Sequence, residues 1–185
     1  MRYDEARTSL TGGKMLKRTF CIVLMGCIAA LGAGADEVSG LSGTYKSVSE
    51  RSNDIAQAID KAVEKMNFIK RPIARGRLSR TNFAYKEIRI EFGASEAVIT
   101  YDTQAAIRMP LSGESIKWKR ADGEVFDVSA RLEGGKLIQT YKAEDGTRVN
   151  SFSKDANGTL LLNVEVSSEQ LPQPVKYMLE YRPAS

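Results

Sequence analysis

Seven basic residues and no acidic residue lie between Glu64 and Glu87, which is the most unusual charge pattern of the chain. A basic segment of this kind attracts anions, and each basic group close to an anionic membrane surface contributes about 1 kcal/mol. We predict that five of the seven contact an anionic ligand or membrane at the mouth of the fold, with a solvated surface loop as the alternative. The five are Lys70, Arg71, Arg75, Arg77 and Arg80.

Aromatic side chains are the other candidates for ligand contact. Tyr177 and Tyr181 share one face of the last predicted strand with Leu179, because alternate residues of a strand point the same way. Their hydroxyls would donate hydrogen bonds inside a cavity, or the rings would pack as ordinary core aromatics. The same two interpretations hold for Trp118 and Tyr101. These five residues form the predicted ligand-binding set.

Few residues of the chain are suited to catalysis. The 185 residues include no histidine, which excludes imidazole ligation of haem, most zinc sites and every histidine-based triad. The acidic pairs Asp122/Glu124 and Glu144/Asp145 fall at predicted hairpin tips, where such residues serve the turn. Neither a glycine-rich phosphate loop nor a nucleophile elbow occurs. We therefore predict a non-enzymatic protein without a cofactor or metal site.

Residues 1–35 have the pattern of a secretory signal peptide. Basic residues precede an apolar run over residues 20–33, which ends in Ala33-Gly34-Ala35. A run of about 14 residues is too short to cross a bilayer, which needs roughly 20. We predict export to the periplasm or outside the cell, with cleavage between Ala35 and Asp36.

Two features of this leader leave alternatives open. Met15 is a more usual start than Met1, because residues 1–14 place a polar tail before the basic head. The sequence Leu24-Met25-Gly26-Cys27 loosely matches a lipoprotein box that would lipidate Cys27, although the apolar residues 28–31 that follow favour simple export.

Cleavage of the leader also changes what the chain can bind. It removes both cysteines of the chain, with five basic and two acidic residues, and lowers the net charge from +4 to +1. Phe68 and Phe83 within the basic segment do not make the regular aromatic interleaving of a stacking groove, so nucleic-acid binding is not predicted.

The mature segment begins with a short strand and a helix. Residues 43–48 read as the strand, and Ser52 or Asn53 provides a helix N-cap. Apolar residues then recur at helical spacing from Ile55 to Met66. Pro72 is the latest reasonable end of this helix, and the pattern around residues 73–78 indicates at most one further weak helical turn.

From Asn82 onward apolar residues alternate with polar ones, which is typical of half-buried strands. Gly113, Gly123, Gly135, Gly146 and Gly158 punctuate these runs at steps of 10 to 12 residues. Evenly spaced hairpins without crossover helices favour an antiparallel up-and-down β-barrel or a β-sandwich. We predict a mainly β protein of about ten strands, one before and about nine after a single helical segment, in one domain over residues 36–185.

Two segments resemble the calycin superfamily, which includes the lipocalins and the fatty-acid-binding proteins. The opening Leu41-Ser42-Gly43-Thr44-Tyr45 is similar to the Gly-x-Trp strand of that superfamily, with Tyr45 in place of the tryptophan. Residues 132–140 and 144–147 are similar to its late hairpins. The resemblance implies a barrel that carries small apolar or amphipathic ligands.

The resemblance also implies a ligand contact from which this chain departs. In fatty-acid-binding proteins an inward Arg-x-Tyr on the last strand holds the carboxylate, together with an arginine on an earlier strand. Tyr181 falls at the tyrosine position, Leu179 replaces the arginine, and the earlier arginine maps near Ser153. A fatty acid bound in the manner of that family is therefore not expected.

Two functions follow for a chain of this kind. The preferred one is an exported, non-covalent carrier of a small apolar or amphipathic molecule, which includes anionic ones, in a barrel cavity. The alternative is an envelope or secreted protein-binding or inhibitor module that uses loops and the basic segment 65–86.

Overall fold

A computed structural model describes residues 40–48 and 52–184, with the side chains of residues 52–54 left out. The predicted signal peptide, the cleavage site between Ala35 and Asp36, the alternative start at Met15 and the lipidation site at Cys27 all lie outside the described residues.

Ten antiparallel strands form one sheet in the order β4-β3-β2-β1-β10-β9-β8-β7-β6-β5. Each strand pairs with its neighbour in the chain except β4 with β5, which are the two edges of the sheet. The first and last strands, β1 and β10, pair with each other in the middle of the sheet. The strands are β1 Gly43–Ser47, β2 Glu87–Phe92, β3 Glu96–Tyr101, β4 Ile107–Pro110, β5 Ile116–Lys119, β6 Val125–Glu133, β7 Lys136–Lys142, β8 Thr147–Lys154, β9 Leu160–Ser167 and β10 Val175–Pro183.

The barrel is nearly closed at the seam between β4 and β5. An isolated antiparallel bridge joins Ser112, just after β4, to Arg131 of β6. Alternate residues of the strands point inward and are fully buried, as the pair Ile88 and Ile90 of β2 illustrates. The predicted fold class, a mainly β up-and-down calycin-like barrel of about ten strands, is confirmed.

The first helix, α1 (Ser52–Val63), has the predicted apolar stripe. Ile55, Ile59, Ala62 and Val63 are buried, and the helix packs against β10. Met66 lies beyond the end of α1 and is half-buried. None of the described helices has the length and apolar character needed to span a bilayer.

The prediction of a single helical segment needs correction, because a second helix, α2 (Lys70–Thr81), follows the first. Pro72 lies in the first turn of α2, where its missing N–H is not needed, so it helps to begin a helix. None of the α2 side chains is fully buried. The helix therefore has no apolar stripe, and the periodicity that reveals α1 is absent from it.

Polar contacts attach α2 to α1. Arg71 Nη2 donates to the carbonyl oxygens of Glu64 at 2.5 Å and Met66 at 2.8 Å, beyond the C-terminal end of α1. Arg75 forms an ion pair of 2.8 Å with Asp60. Both residues of that pair are half exposed, and exposed ion pairs contribute about 0–1 kcal/mol. The second helix is therefore attached by exposed polar contacts and by Leu78, which is half-buried against the core.

Two glycines offer a matched test of this packing. A Cβ at Gly146 would lie 2.8 Å from the Ser167 carbonyl oxygen, whereas a Cβ at Gly76 in α2 would meet nothing within 4 Å. We expect Gly146→Ala to lower the free energy of unfolding by about 1–3 kcal/mol. Gly76→Ala should raise it by at most about 1 kcal/mol, because alanine favours a helix. Urea denaturation measures both, and equal effects of the two substitutions would contradict the packing described.

Candidate functional site

Polar residues occupy part of the inner face of the barrel, on β7 and β8. The register pairs Leu137 with Phe152, Gln139 with Asn150 and Tyr141 with Arg148, so members of each pair share a face. Leu137 and Phe152 are completely buried, which identifies this face as the inner one. Gln139 and Asn150 are 0% and 1% exposed, and Arg148 is half-buried at the end nearest α2.

The buried amides are hydrogen-bonded to each other and to a tyrosine from the far side of the barrel. The Tyr101 hydroxyl on β3 donates to Gln139 Oε1 at 2.5 Å. Asn150 Nδ2 donates to the same Oε1 at 3.1 Å and to the Tyr101 hydroxyl oxygen at 3.2 Å. Gln139 Nε2 lies 3.4 Å from Met109 Sδ. Buried polar groups need such partners, so these bonds are required for the fold.

Arg148 extends this network to the end of α2 through neutral oxygens. Its Nε donates to Asn150 Oδ1 at 2.9 Å and its Nη2 to the Tyr177 hydroxyl at 3.3 Å. Its Nη1 donates to the Thr81 carbonyl oxygen at 3.2 Å and to Asn82 Oδ1 at 3.3 Å. Guanidinium stays charged in proteins, yet Arg148 has no carboxylate partner among residues 40–48 and 52–184.

Asn82 links this cation to the last turn of α2. The residue is 4% exposed, and its Nδ2 donates to the Leu78 carbonyl oxygen at 3.0 Å. Its Oδ1 accepts a bond of 3.1 Å from the Tyr177 hydroxyl in addition to the bond from Arg148. The C-terminal end of α2 therefore closes the barrel over Arg148.

Aromatic rings surround this end of the barrel interior. The Tyr85 and Tyr101 rings lie 4.4 Å apart, and the Trp118 and Tyr141 rings lie 5.7 Å apart. Burial raises the pKa of the Tyr101, Tyr141 and Tyr177 hydroxyls, and the positive charge of Arg148 partly opposes each shift. These phenols are therefore neutral hydrogen-bond donors at physiological pH.

The structure places the five residues of the predicted ligand-binding set as follows. Tyr101, Tyr177, Leu179 and Tyr181 point inward and are buried, while Trp118 is half-buried and packs on Phe126 and Tyr141. Tyr101 and Tyr177 belong to the polar network and Leu179 to the apolar core. The Tyr181 hydroxyl makes no hydrogen bond of ordinary geometry with a described residue.

The five basic residues predicted to contact an anion all lie on α2 and are exposed. Arg71 and Arg75 are engaged with α1, and Arg80 Nε donates to the Gly76 carbonyl oxygen at 3.1 Å. Lys70 and Arg77 form no ion pair with the described residues. The structure does not bring these five side chains together with Arg148 in one site.

Sequence reasoning missed the inward cation. The resemblance to fatty-acid-binding proteins places the arginine of their earlier strand near Ser153 of this chain. Ser153 follows the inward Phe152 and lies on the outer face of β8. The inward arginine of this strand is therefore Arg148. The inner face of β8 is polar, so the alternation that reveals other strands is absent. Counting residues away from the Asp145-Gly146 turn along both strands places Arg148 opposite Tyr141.

Comparison with known proteins identifies the fold. No family model and no curated protein matches the chain. Among solved structures, the fluorescent protein UnaG has a TM-score of 0.53 at 16% identity over 80% of this chain and 99% of its own. Fatty-acid-binding protein 1 of Echinococcus granulosus has 0.51 at 14% identity over 79% and 98%. An abundant heat soluble protein of Ramazzottius varieornatus has 0.53 at 12% identity over 79% and 96%. The chain has a calycin-like fold.

Burial of the tyrosines predicts how stability depends on pH. A tyrosine whose pKa is raised in the folded state ionises first in the unfolded chain, at a pKa of about 10. The stability that such a tyrosine contributes is fully present below pH 10. Above pH 10 it is lost, and the free energy of unfolding falls by about 1.4 kcal/mol per pH unit for each such tyrosine. We expect the free energy of unfolding to fall between pH 10 and 11.5, and to fall less steeply in Tyr141→Phe. Urea denaturation measures the free energy of unfolding, and absorbance at 295 nm measures ionisation of the phenols. Ionisation of Tyr141 near pH 10 in the folded protein, seen as absorbance that Tyr141→Phe lacks, would contradict the prediction.

Proposed function

We propose that this protein binds a small anionic, amphipathic molecule inside the barrel, without covalent chemistry, and that Arg148 contacts the anion. One observation carries the proposal: a guanidinium on the inner face has only neutral oxygens as partners in the part of the chain described. An anion adds the attraction of opposite charges to its hydrogen bonds with a guanidinium, and a carboxylate can accept two of them in parallel, which a single neutral oxygen does not. An anionic ligand would therefore gain more from Arg148 than its present partners do.

Core side chains fill the interior of the barrel described here, so the ligand must displace part of the structure. Two depressions have volumes of about 280 and 370 Å³, and neither is lined by Arg148. The bonds from Arg148 to Thr81 and Asn82 occupy the place of an anion. Release of these two bonds would weaken the attachment of the end of α2, which would keep the bond from Tyr177 to Asn82. This helix buries no side chain fully.

Two further elements of the proposal are export and the absence of catalysis. The basic and apolar pattern of residues 1–35 supports export. Two solved structures of similar fold are named a fatty acid transporter and a fatty-acid-binding protein, which supports the binding of a small molecule. The inward Arg148 on β8, and Leu179 at the position of the arginine in the Arg-x-Tyr of fatty-acid-binding proteins, support a ligand or a position different from those of such proteins.

The interior site is tested with octanoate as probe and Trp118, the single tryptophan of the chain, as reporter. Trp118 packs on Tyr141, the cross-strand partner of Arg148, so occupancy of the site should change its fluorescence. We expect Arg148→Met to weaken octanoate binding about 10- to 100-fold, the loss of one charged hydrogen-bonding group.

Arg131→Met is the matched control, because Arg131 is exposed and pairs only with Glu133. Octanoate binding that is equally strong in both variants would contradict the assignment of Arg148. The thermal midpoint of each variant, measured alongside, verifies that both are folded at the temperature of the titration.

A second candidate function is docking of α2 on an anionic membrane. Phe68, Ile69 and Ile73 are 82%, 62% and 63% exposed, and they lie among the basic residues of the segment 65–86, which contains no acid. Apolar side chains flanked by basic ones suit the boundary between headgroups and acyl chains. This surface would hold the carrier at the membrane that supplies or receives its ligand.

Membrane docking is tested with vesicles that contain anionic phosphatidylglycerol, at low salt. We expect Arg77→Ala to weaken partitioning about fivefold, which corresponds to about 1 kcal/mol per basic residue. Lys136→Ala is the control, because Lys136 is exposed at the start of β7, the end farther from Arg148. Docking would be contradicted if both variants and the unchanged protein partition equally. It would also be contradicted if partitioning does not change with the salt concentration.

A further inference from the structure

The inner residues of β7 to β10 form successive rows across the barrel wall. The row nearest α2 contains Arg148, the next contains Asn150, and the third contains Phe152. Inward residues are two positions apart along a strand, which corresponds to about 6.7 Å. The Asn150 row therefore separates the Arg148 row from the apolar Phe152 row, and each step between rows is only about 6.7 Å.

The Asn150 row is a polar floor that crosses the barrel. Gln139 and Asn150 belong to this row on one wall, and Tyr101 reaches them from β3 on the opposite wall. Tyr101 is 2% exposed and the two amides are 1% exposed or less, so bulk solvent does not reach the floor. Breaking these bonds without replacement would leave buried polar groups unpaired, at a cost that is large compared with an ordinary contact.

The row below the floor is already filled by core side chains. It consists of residues that pair directly across β7 to β10 and are 0 to 3% exposed. They are Leu137, Phe152, Leu162 and Leu179. A long alkyl chain with its carboxylate on Arg148 could enter this row only by breaking the floor and expelling packed side chains.

The rings above the floor suit a short apolar group. Tyr141 lies in the same row as Arg148, and Tyr177 belongs to the Asn150 row but its hydroxyl reaches Arg148 Nη2. Tyr85 stacks on Tyr101 in the α2–β2 connection. Such rings bury flat or short apolar groups. The Tyr177 hydroxyl donates to Asn82 Oδ1, and it would have to leave that acceptor to donate to an anion on Arg148.

We infer that the ligand is a compact anion, a short-chain or aromatic carboxylate, held between Arg148 and the end of α2 above the Tyr101–Gln139–Asn150 floor. The ligand class rests on the proposed function, because it assumes that Arg148 contacts the anion. Long-chain carboxylates are excluded by the floor, while the rings and the cation retain hexanoate or phenylacetate.

The test is a chain-length series measured by calorimetry on the unchanged protein and on Arg148→Met. The probes are hexanoate, phenylacetate and hexadecanoate, each below its aggregation concentration. We expect hexanoate and phenylacetate to bind at least tenfold more tightly than hexadecanoate, and Arg148→Met to lose that binding.

A floor variant, Tyr101→Phe combined with Gln139→Ala, removes the crossing bond and shortens one side chain. We expect it to bind hexadecanoate at least tenfold more tightly than the unchanged protein does, so that the preference for hexanoate over hexadecanoate is lost. If this variant does not fold, the chain-length series on the unchanged protein still tests whether the ligand is compact.

The possible failures are distinguishable. If hexadecanoate binds the unchanged protein more tightly than hexanoate, and Arg148→Met abolishes that binding, the floor does not limit the ligand and only the ligand class is overturned. If no carboxylate of any length binds, the proposed function itself is wrong.

Discussion

The hydrogen bonding of two fully buried amides is the constraint on which the interior of this barrel depends. Gln139 and Asn150 lie next to the apolar core on the inner face of the barrel, where an unpaired amide costs about 1–3 kcal/mol. Their need for partners brings Tyr101 across the barrel and orients Arg148 through its Nε. The amides thus position the cation whose remaining donors face the end of α2.

The same network explains how a helix without a buried side chain is retained. Exposed contacts from Arg71 and Arg75 hold α2 to α1, and its last turn is fixed to the barrel by Asn82 and Arg148. Each bond of this kind contributes only about 0.5–3 kcal/mol. An anion that takes over the guanidinium would therefore compete with the attachment of the helix. Ligand entry and movement of α2 are thereby coupled through one side chain.

The sequence predicts most of the barrel and little of the site. Alternation and evenly spaced glycines identify the strands because one face of each is apolar, and the inward positions of Tyr177, Leu179 and Tyr181 follow from the last strand alone. The helix α2 escapes prediction because it buries no stripe, and Pro72 reads as a helix end where it begins one. Arg148 escapes because a polar inner face has no alternation, and only the pairing of β7 with β8 reveals its direction.

The most direct test of the central claim, that Arg148 holds an anionic ligand inside the barrel, is native mass spectrometry of the protein purified without detergent. The account predicts one bound molecule per chain that is released on unfolding, carries an anionic group and is absent from Arg148→Met. A bare mass that stays unchanged after incubation with hexanoate and phenylacetate would contradict it, and would leave the barrel as a solid scaffold for its surface.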